Sequence, residues 1–195
     1  MSPHKKYAYL IGALGFAFLG VLVVVFGFEE NPNISYIIFL LFMTISELQT
    51  VQVDSSYLSA GFGFLYSAAF IFGPASAAVM KVLSVLICQI YYKVKNCLDD
   101  SVEKTVFNVG QYMISFFCAT QLYSLNKKSF INNNLTYEIV VQGLPITIYF
   151  LLNNLLVEYY IVLKQQRPIP KRISKSVLMD FSTYLIAVPA GISIV

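Results

Sequence analysis

Histidine is almost missing from this 195-residue chain. His4 is the only one, and it lies in the N-terminal tail, so metal chemistry built on imidazole has nothing to stand on. Cysteine is scarce: Cys88, Cys97 and Cys118 are 9 and 21 residues apart with no histidine near them. That is neither a zinc spacing nor a C-x-x-C redox pair. The chain has no Gly-rich phosphate loop, no G-x-S-x-G and no H-E-x-x-H. Glu29 and Glu30 fall in a loop rather than on a helix ahead of a histidine. No catalytic residue, metal or cofactor is expected. Charge is also thin, at 12% of residues against 57% hydrophobic, and the mean hydropathy is +0.69. A nucleic-acid partner is not expected, and the partner such a composition calls for is the lipid bilayer.

What is present is a series of apolar runs. A hydrocarbon core about 30 Å thick needs roughly 20 apolar residues per helix, and residues 7–28, "YAYLIGALGFAFLGVLVVVFGF", supply that without one charge. The run is longer than the h-region of a signal peptide and no A-x-A-like site follows, so it is read as a retained span. Further runs fall at 35–53, 58–72, 75–92, 106–125, 139–163 and 177–195. The reading is an all-α polytopic transmembrane helix bundle of about seven segments. The third is short or re-entrant, because it contains Gly61 and Gly63 in only about 15 residues.

Lysine and arginine in short loops mark the cytoplasmic side. With the N-terminus inside, Lys5, Lys6, Lys93, Lys95, Lys104, Lys164, Arg167, Lys171, Arg172 and Lys175 are cytoplasmic, and only Lys127 and Lys128 are outside. The sequons at Asn33 and Asn134 fall on the outer side and are read as chance matches. The last run, ending "LIAVPAGISIV", stops without a basic anchor or polar tail. The expectation is a domain cut short, with an eighth helix returning to the cytoplasm.

Polar residues stand out inside these runs. Asn108, Gln111, Ser115 and Cys118 recur at i, i+3, i+7 and i+10, one stripe of the fifth segment, opposite Val106, Val109, Met113, Phe116 and Phe117. Lys81, Ser84 and Cys88 form a second stripe on the fourth segment, beside the small residues Ser76, Ala77 and Ala78. An unpaired amide in hydrocarbon costs several kcal/mol, so both stripes point into the bundle. They act either as interhelical glue or as a polar, ligand-responsive interior. Lys81 is the most costly residue, at about 2.5–3.5 kcal/mol on insertion scales. It either snorkels outward or pairs with a carboxylate, and Glu47 is favoured over Glu158. Asn153 and Asn154 on the sixth segment complete the candidate set.

The run "SAAFIFGPASAAVMKVLSVLICQIYYK" followed by "KTVFNVGQYMIS" resembles the multi-spanning N-terminal membrane region of bacterial cyclic-dinucleotide signalling proteins, those with HD-GYP or GGDEF output domains. The features that carry it are Gly73-Pro74, the basic loop from Lys93 to Lys104, the pattern Phe-Asn-x-x-Gln-x-x-x-Ser at Phe107, Asn108, Gln111 and Ser115, Asn153 or Asn154, and a basic loop from Arg167-Pro168 to Lys175. It covers roughly residues 36–195. The resemblance implies a sensory or anchoring module of the bacterial inner membrane, a single integral membrane domain over 1–195, without a soluble domain or catalytic activity of its own and C-terminally truncated relative to the family. It also implies a small-molecule ligand and a cytoplasmic signalling domain or partner subunit. A weaker, pattern-only similarity is to the S components of energy-coupling-factor transporters, which implies a small-molecule-binding transport component. The patches Ala13-x-x-x-Ala17 and Gly63-x-x-x-Ser67 are general packing devices.

Overall fold

The first helix, α1 (Pro3–Phe26), opens with proline in its first turn, where the missing N–H has no helical partner to lose. It stops at Gly27, whose φ of +67° suits a residue without a Cβ and whose N–H donates to the Val23 carbonyl at 3.0 Å. Four further helices and a small ribbon follow in this computed structural model, which describes residues 1–28, 34–49, 51–53, 56–58, 61–95, 102–127 and 135–165. They are α2 (Ile34–Leu48), β1 (Val51–Val53), β2 (Ser56–Leu58), α3 (Gly61–Val94), α4 (Val102–Lys127) and α5 (Leu135–Gln165). The fold is all-α, and among the described residues Pro3–Phe26, Gly61–Val94 and Gly143–Gln165 are long and apolar enough to cross a membrane.

The second apolar run differs from its expected course. Hydropathy predicts one span over 35–53, but α2 ends at Leu48 and Val51–Val53 pairs antiparallel with Ser56–Leu58, Val51 opposite Leu58 and Val53 opposite Ser56. Alternating Val-Gln-Val suits a two-faced strand, whereas a helix would carry Gln52 into its apolar face. At 15 residues α2 spans about 22 Å, short of a full hydrocarbon core.

The third and fourth runs belong to one element, α3, broken at Gly73 (φ +78°, ψ 160°) ahead of Pro74. Proline removes a helical N–H and crowds the preceding turn, and glycine alone reaches that φ without strain. The break folds α3 back. Phe64 stacks on Phe42 at 5.6 Å between centroids, and the Cys88 thiol donates to the Thr44 carbonyl at 3.6 Å. In one straight helix residues 64 and 88 would stand about 36 Å apart, yet their partners on α2 are two residues apart. The short third segment is therefore the first arm of α3, and Phe72 at its end packs on Tyr36 and Phe39.

Helix α4 is the centre of the bundle. It is long enough to cross a bilayer, but its amides keep it from qualifying by hydropathy. Protein covers it instead. Parallel to it runs α1: Tyr7 meets Phe107, Gly15 meets Gly110, and Phe18 stacks on Phe117 at 4.5 Å. Antiparallel to it runs α5, with Tyr160 stacked on Phe107 at 4.4 Å. The second arm of α3 is also antiparallel, with Gln89 hydrogen-bonded to Thr105 and Lys81 beside Tyr112. The small residues that allow the α1–α4 approach are Gly12, Gly15 and Gly110, which are buried, whereas Ala13 and Ala17 are exposed. The starts of α1 and α4 and the ends of α3 and α5 thus share one end of the bundle, which gathers Lys5, Lys6, Lys93, Lys95, Lys104 and Lys164. The seventh run, 177–195, and the basic residues from Arg167 to Lys175 lie outside the described residues.

Candidate functional site

The two helices that are tied together by Thr44 and Cys88 also carry the strongest charges in the interior. Lys81 on α3 is 1% exposed, and its ammonium forms an ion pair with Glu47 Oε1 on α2. From α4, the Tyr112 hydroxyl donates to Glu47 Oε2 at 3.3 Å, and its ring lies under the Lys81 ammonium, 4.2 Å from centroid to Nζ. Three helices thus contribute one group each. The lysine does not snorkel; of the two carboxylates weighed for it, it is Glu47 that it reaches. Burying two charges is repaid only when geometry and further hydrogen bonds are good. Tyr112 supplies both a hydrogen bond to the anion and a π-face to the cation. Ser84, on the same stripe, turns back to the Lys81 carbonyl at 2.9 Å.

The amide stripe runs beside Tyr112 on α4, but among the described residues no hydrogen bond joins its side chains to Lys81. Gln111 and Ser115 are buried and Asn108 is half-buried. Gln111 Nε2 donates to Asn108 Oδ1 at 3.5 Å, within the helix. On α5, Asn154 Nδ2 donates to the Phe150 carbonyl at 3.0 Å, again locally. Asn153 is two turns before Tyr160 and shares its face of α5; Ile114 is two turns after Phe107 and shares its face of α4. Since Tyr160 and Phe107 stack, Asn153 comes opposite Ile114, between Gln111 and Ser115. Among the described residues, Gln111 Oε1, Ser115 Oγ and Asn153 Oδ1 are buried without a hydrogen-bond partner.

A third cluster closes the basic end. Glu103, in the first turn of α4, is buried and accepts from the Tyr160 hydroxyl at 3.0 Å, with His4 Nε2 at 3.6 Å and Lys5 Nζ at 3.7 Å. Tyr7 seals it against Tyr159, centroids 4.9 Å apart, and donates to the Leu156 carbonyl at 3.4 Å. Glu103 joins the first turn of α1, the start of α4 and the end of α5.

A sequence model described as MASE9 matches residues 11–195. The chain belongs to the MASE9 family. It is therefore a membrane-associated sensor domain, and domains of this kind stand at the N-terminal, membrane end of signalling proteins. No curated protein and no solved structure matches the chain. The matched stretch contains Gly73-Pro74, Phe107, Asn108, Gln111 and Ser115, the residues on which the resemblance to signalling-protein membrane regions was drawn.

Three residues of these polar clusters in the MASE9 domain are not among the candidates that the sequence suggests. Tyr112 is one of 14 tyrosines and carries no signal of its own; it lies one turn from Asn108 and from Ser115, on the flank of the amide stripe, and only the position of α2 brings it to Glu47. Glu103 and Tyr160 sat in what read as loop punctuation and apolar surface. For the amide seam, replacing Gln111 by Met and Asn153 by Leu is expected to leave unfolding stability in detergent unchanged or to raise it by about 1 kcal/mol, because each buried orphan costs about 1–3 kcal/mol. A loss of similar size would show that the two amides pair across α4 and α5.

Proposed function

We propose that this MASE9 domain is the membrane sensory and anchoring module of a bacterial signalling protein with cyclic-dinucleotide output of the HD-GYP or GGDEF kind. It sits in the inner membrane with its N-terminus in the cytoplasm, and the Lys81–Glu47–Tyr112 cluster is its responsive element. The observation that carries this reading is an ion pair buried where α2, α3 and α4 meet, beside a helix folded back at Gly73. Ionisable residues inside a membrane are rare and costly, which makes such a pair a functional-site hypothesis by default. Such a pair has two discrete arrangements. With both charges joined, α2 is clamped to the second arm of α3; with Glu47 engaged by a ligand or shifted with α2, Lys81 must seek water or another acceptor. A two-state element of this kind turns a small displacement into a change at the helix ends.

Two further observations support the reading. The family match favours a sensor over the transport component. The collection of lysines at one end of the bundle fits a cytoplasmic position for that end. Reporter fusions after Phe28 are expected to read periplasmic and fusions after Lys95 cytoplasmic; both on one side would overturn the orientation. For the sensory role, the chain is placed ahead of a cyclase or phosphodiesterase domain, and cyclic-dinucleotide levels are compared between the parent and Glu47→Gln at equal membrane abundance. A several-fold shift in output is expected. Identical output from the two would remove the cluster from signalling.

A further inference from the structure

Between the ends of α2 and α3 lies a groove of about 520 Å³, lined by Ile45, Leu48, Gln49, Tyr91, Tyr92 and Lys95. Its position is decided by α3, whose last turn belongs to the lysine-rich end of the bundle. Its chemistry is split. Ile45 and Leu48 present aliphatic surface, with Ile45 46% exposed. Opposite them, Tyr91 and Tyr92 place two rings at the level where the helix gives way to Lys93 and Lys95. The Lys95 ammonium stands 5.0 Å from the Tyr91 ring centroid, which holds the cation at the mouth of the groove. Apolar wall, tyrosine belt and a cation at the rim reproduce, in order of depth, the acyl chain, interface and phosphate of a phospholipid.

We propose that this groove is a binding site for an anionic phospholipid of the leaflet facing the basic end, with the phosphate at Lys95, the glycerol region between Tyr91 and Tyr92, and an acyl chain along Ile45 and Leu48. The charge is what selects the occupant. Lys95 lines the groove, and Lys5, Lys6, Lys93, Lys104 and Lys164 raise the positive potential of the same end, so a zwitterionic lipid gains the apolar contacts but not the electrostatic ones. The site touches the responsive cluster through α2, because Ile45 and Leu48 bracket Glu47 in sequence, and a lipid seated here braces α2 against α3 one turn from the ion pair. Lipid binding stands independently of the sensory reading; its effect on signalling rests on it.

The chain has no tryptophan, so Tyr91→Trp places a single, selectively excitable tryptophan in the groove and keeps an aromatic face for Lys95. In bilayers of phosphatidylcholine and phosphatidylglycerol, brominated phosphatidylglycerol is expected to quench this tryptophan with about fivefold higher apparent affinity than brominated phosphatidylcholine, the equivalent of the ~1 kcal/mol that one lysine gains near an anionic lipid. Adding Lys95→Gln is expected to abolish the preference. A control tryptophan at Phe16, exposed in the middle of α1, should be quenched equally by both. Equal quenching by both lipids at position 91, or a preference that survives Lys95→Gln, overturns the site. Should Tyr91→Trp fail to fold, Tyr92→Trp reports on the same groove with the same outcomes.

Discussion

Glu47→Leu is expected to cost about 3–5 kcal/mol of stability, the usual penalty for leaving one partner of a buried ion pair alone. The ammonium left behind is almost wholly enclosed, with the Tyr112 ring 4.2 Å away and the carboxylate gone. The diagnostic result is the double variant. Lys81→Met with Glu47→Leu removes both charges, keeps the volume, and is expected to recover most of the loss or even to exceed the parent, as apolar replacements of buried pairs often do. A double-mutant cycle from detergent unfolding gives the coupling directly. If Glu47→Leu alone costs less than about 1 kcal/mol, the pair is hydrated and the cluster is a surface feature. A stable double variant that no longer alters output would also show that the charges serve switching rather than folding.

The second large effect is expected at Gly15. A Cβ added there meets the backbone of Gly110, with the carbonyl oxygen at 2.7 Å and the carbonyl carbon at 2.9 Å; one added at Gly110 meets the backbone of α1, with the Gly12 Cα at 2.7 Å. Neither neighbour is a side chain that can swing away, so the helices must part. Overpacking of this sort costs about 1–3 kcal/mol and more when backbone must move, and Gly15→Ala should sit at the upper end of that range. Gly20, on the same helix, has nothing within 4 Å of an added Cβ. Gly20→Ala is thus the matched control, expected to be neutral or slightly stabilising because alanine is the better helix former. Equal unfolding midpoints for the two variants would mean that α1 and α4 are not in backbone contact.

Where sequence reading succeeded, the physics was one-dimensional. Length and hydropathy locate α1 and most of α5, since a run of apolar residues has few alternatives to a helix in lipid. Gly73-Pro74 marks the break in α3, because those two residues constrain the backbone wherever they occur. The pairing of Lys81 with Glu47 follows from cost, for a buried lysine needs an acid and few are at hand. What failed needed the partner helix. Ala13-x-x-x-Ala17 and Gly12 with Gly15 are both small-residue patches on α1, and only the position of Gly110 decides which is buried. Helix α2 was carried too far because Val51 and Val53 are as apolar as its core, and hydropathy alone does not separate a strand from a helix end. Asn108, Gln111 and Ser115 drew attention because amides are costly in lipid, whereas Tyr112, one turn from Asn108 on the flank of that stripe, is ordinary in an apolar helix and yet reaches the charges.

The polarity of α4 has a consequence for how the protein is made. A segment carrying Asn108, Gln111 and Ser115 partitions poorly into lipid alone, and its glycine contact with α1 is the surface that compensates. That surface is finished only after α1 has been released from the ribosome by the roughly 100 residues between Phe26 and Lys127, about 5–20 s of synthesis at ordinary rates. During this interval α1 must wait close to the insertion machinery with Gly12 and Gly15 unfilled, and α4 enters the bilayer as a passenger on a helix already there.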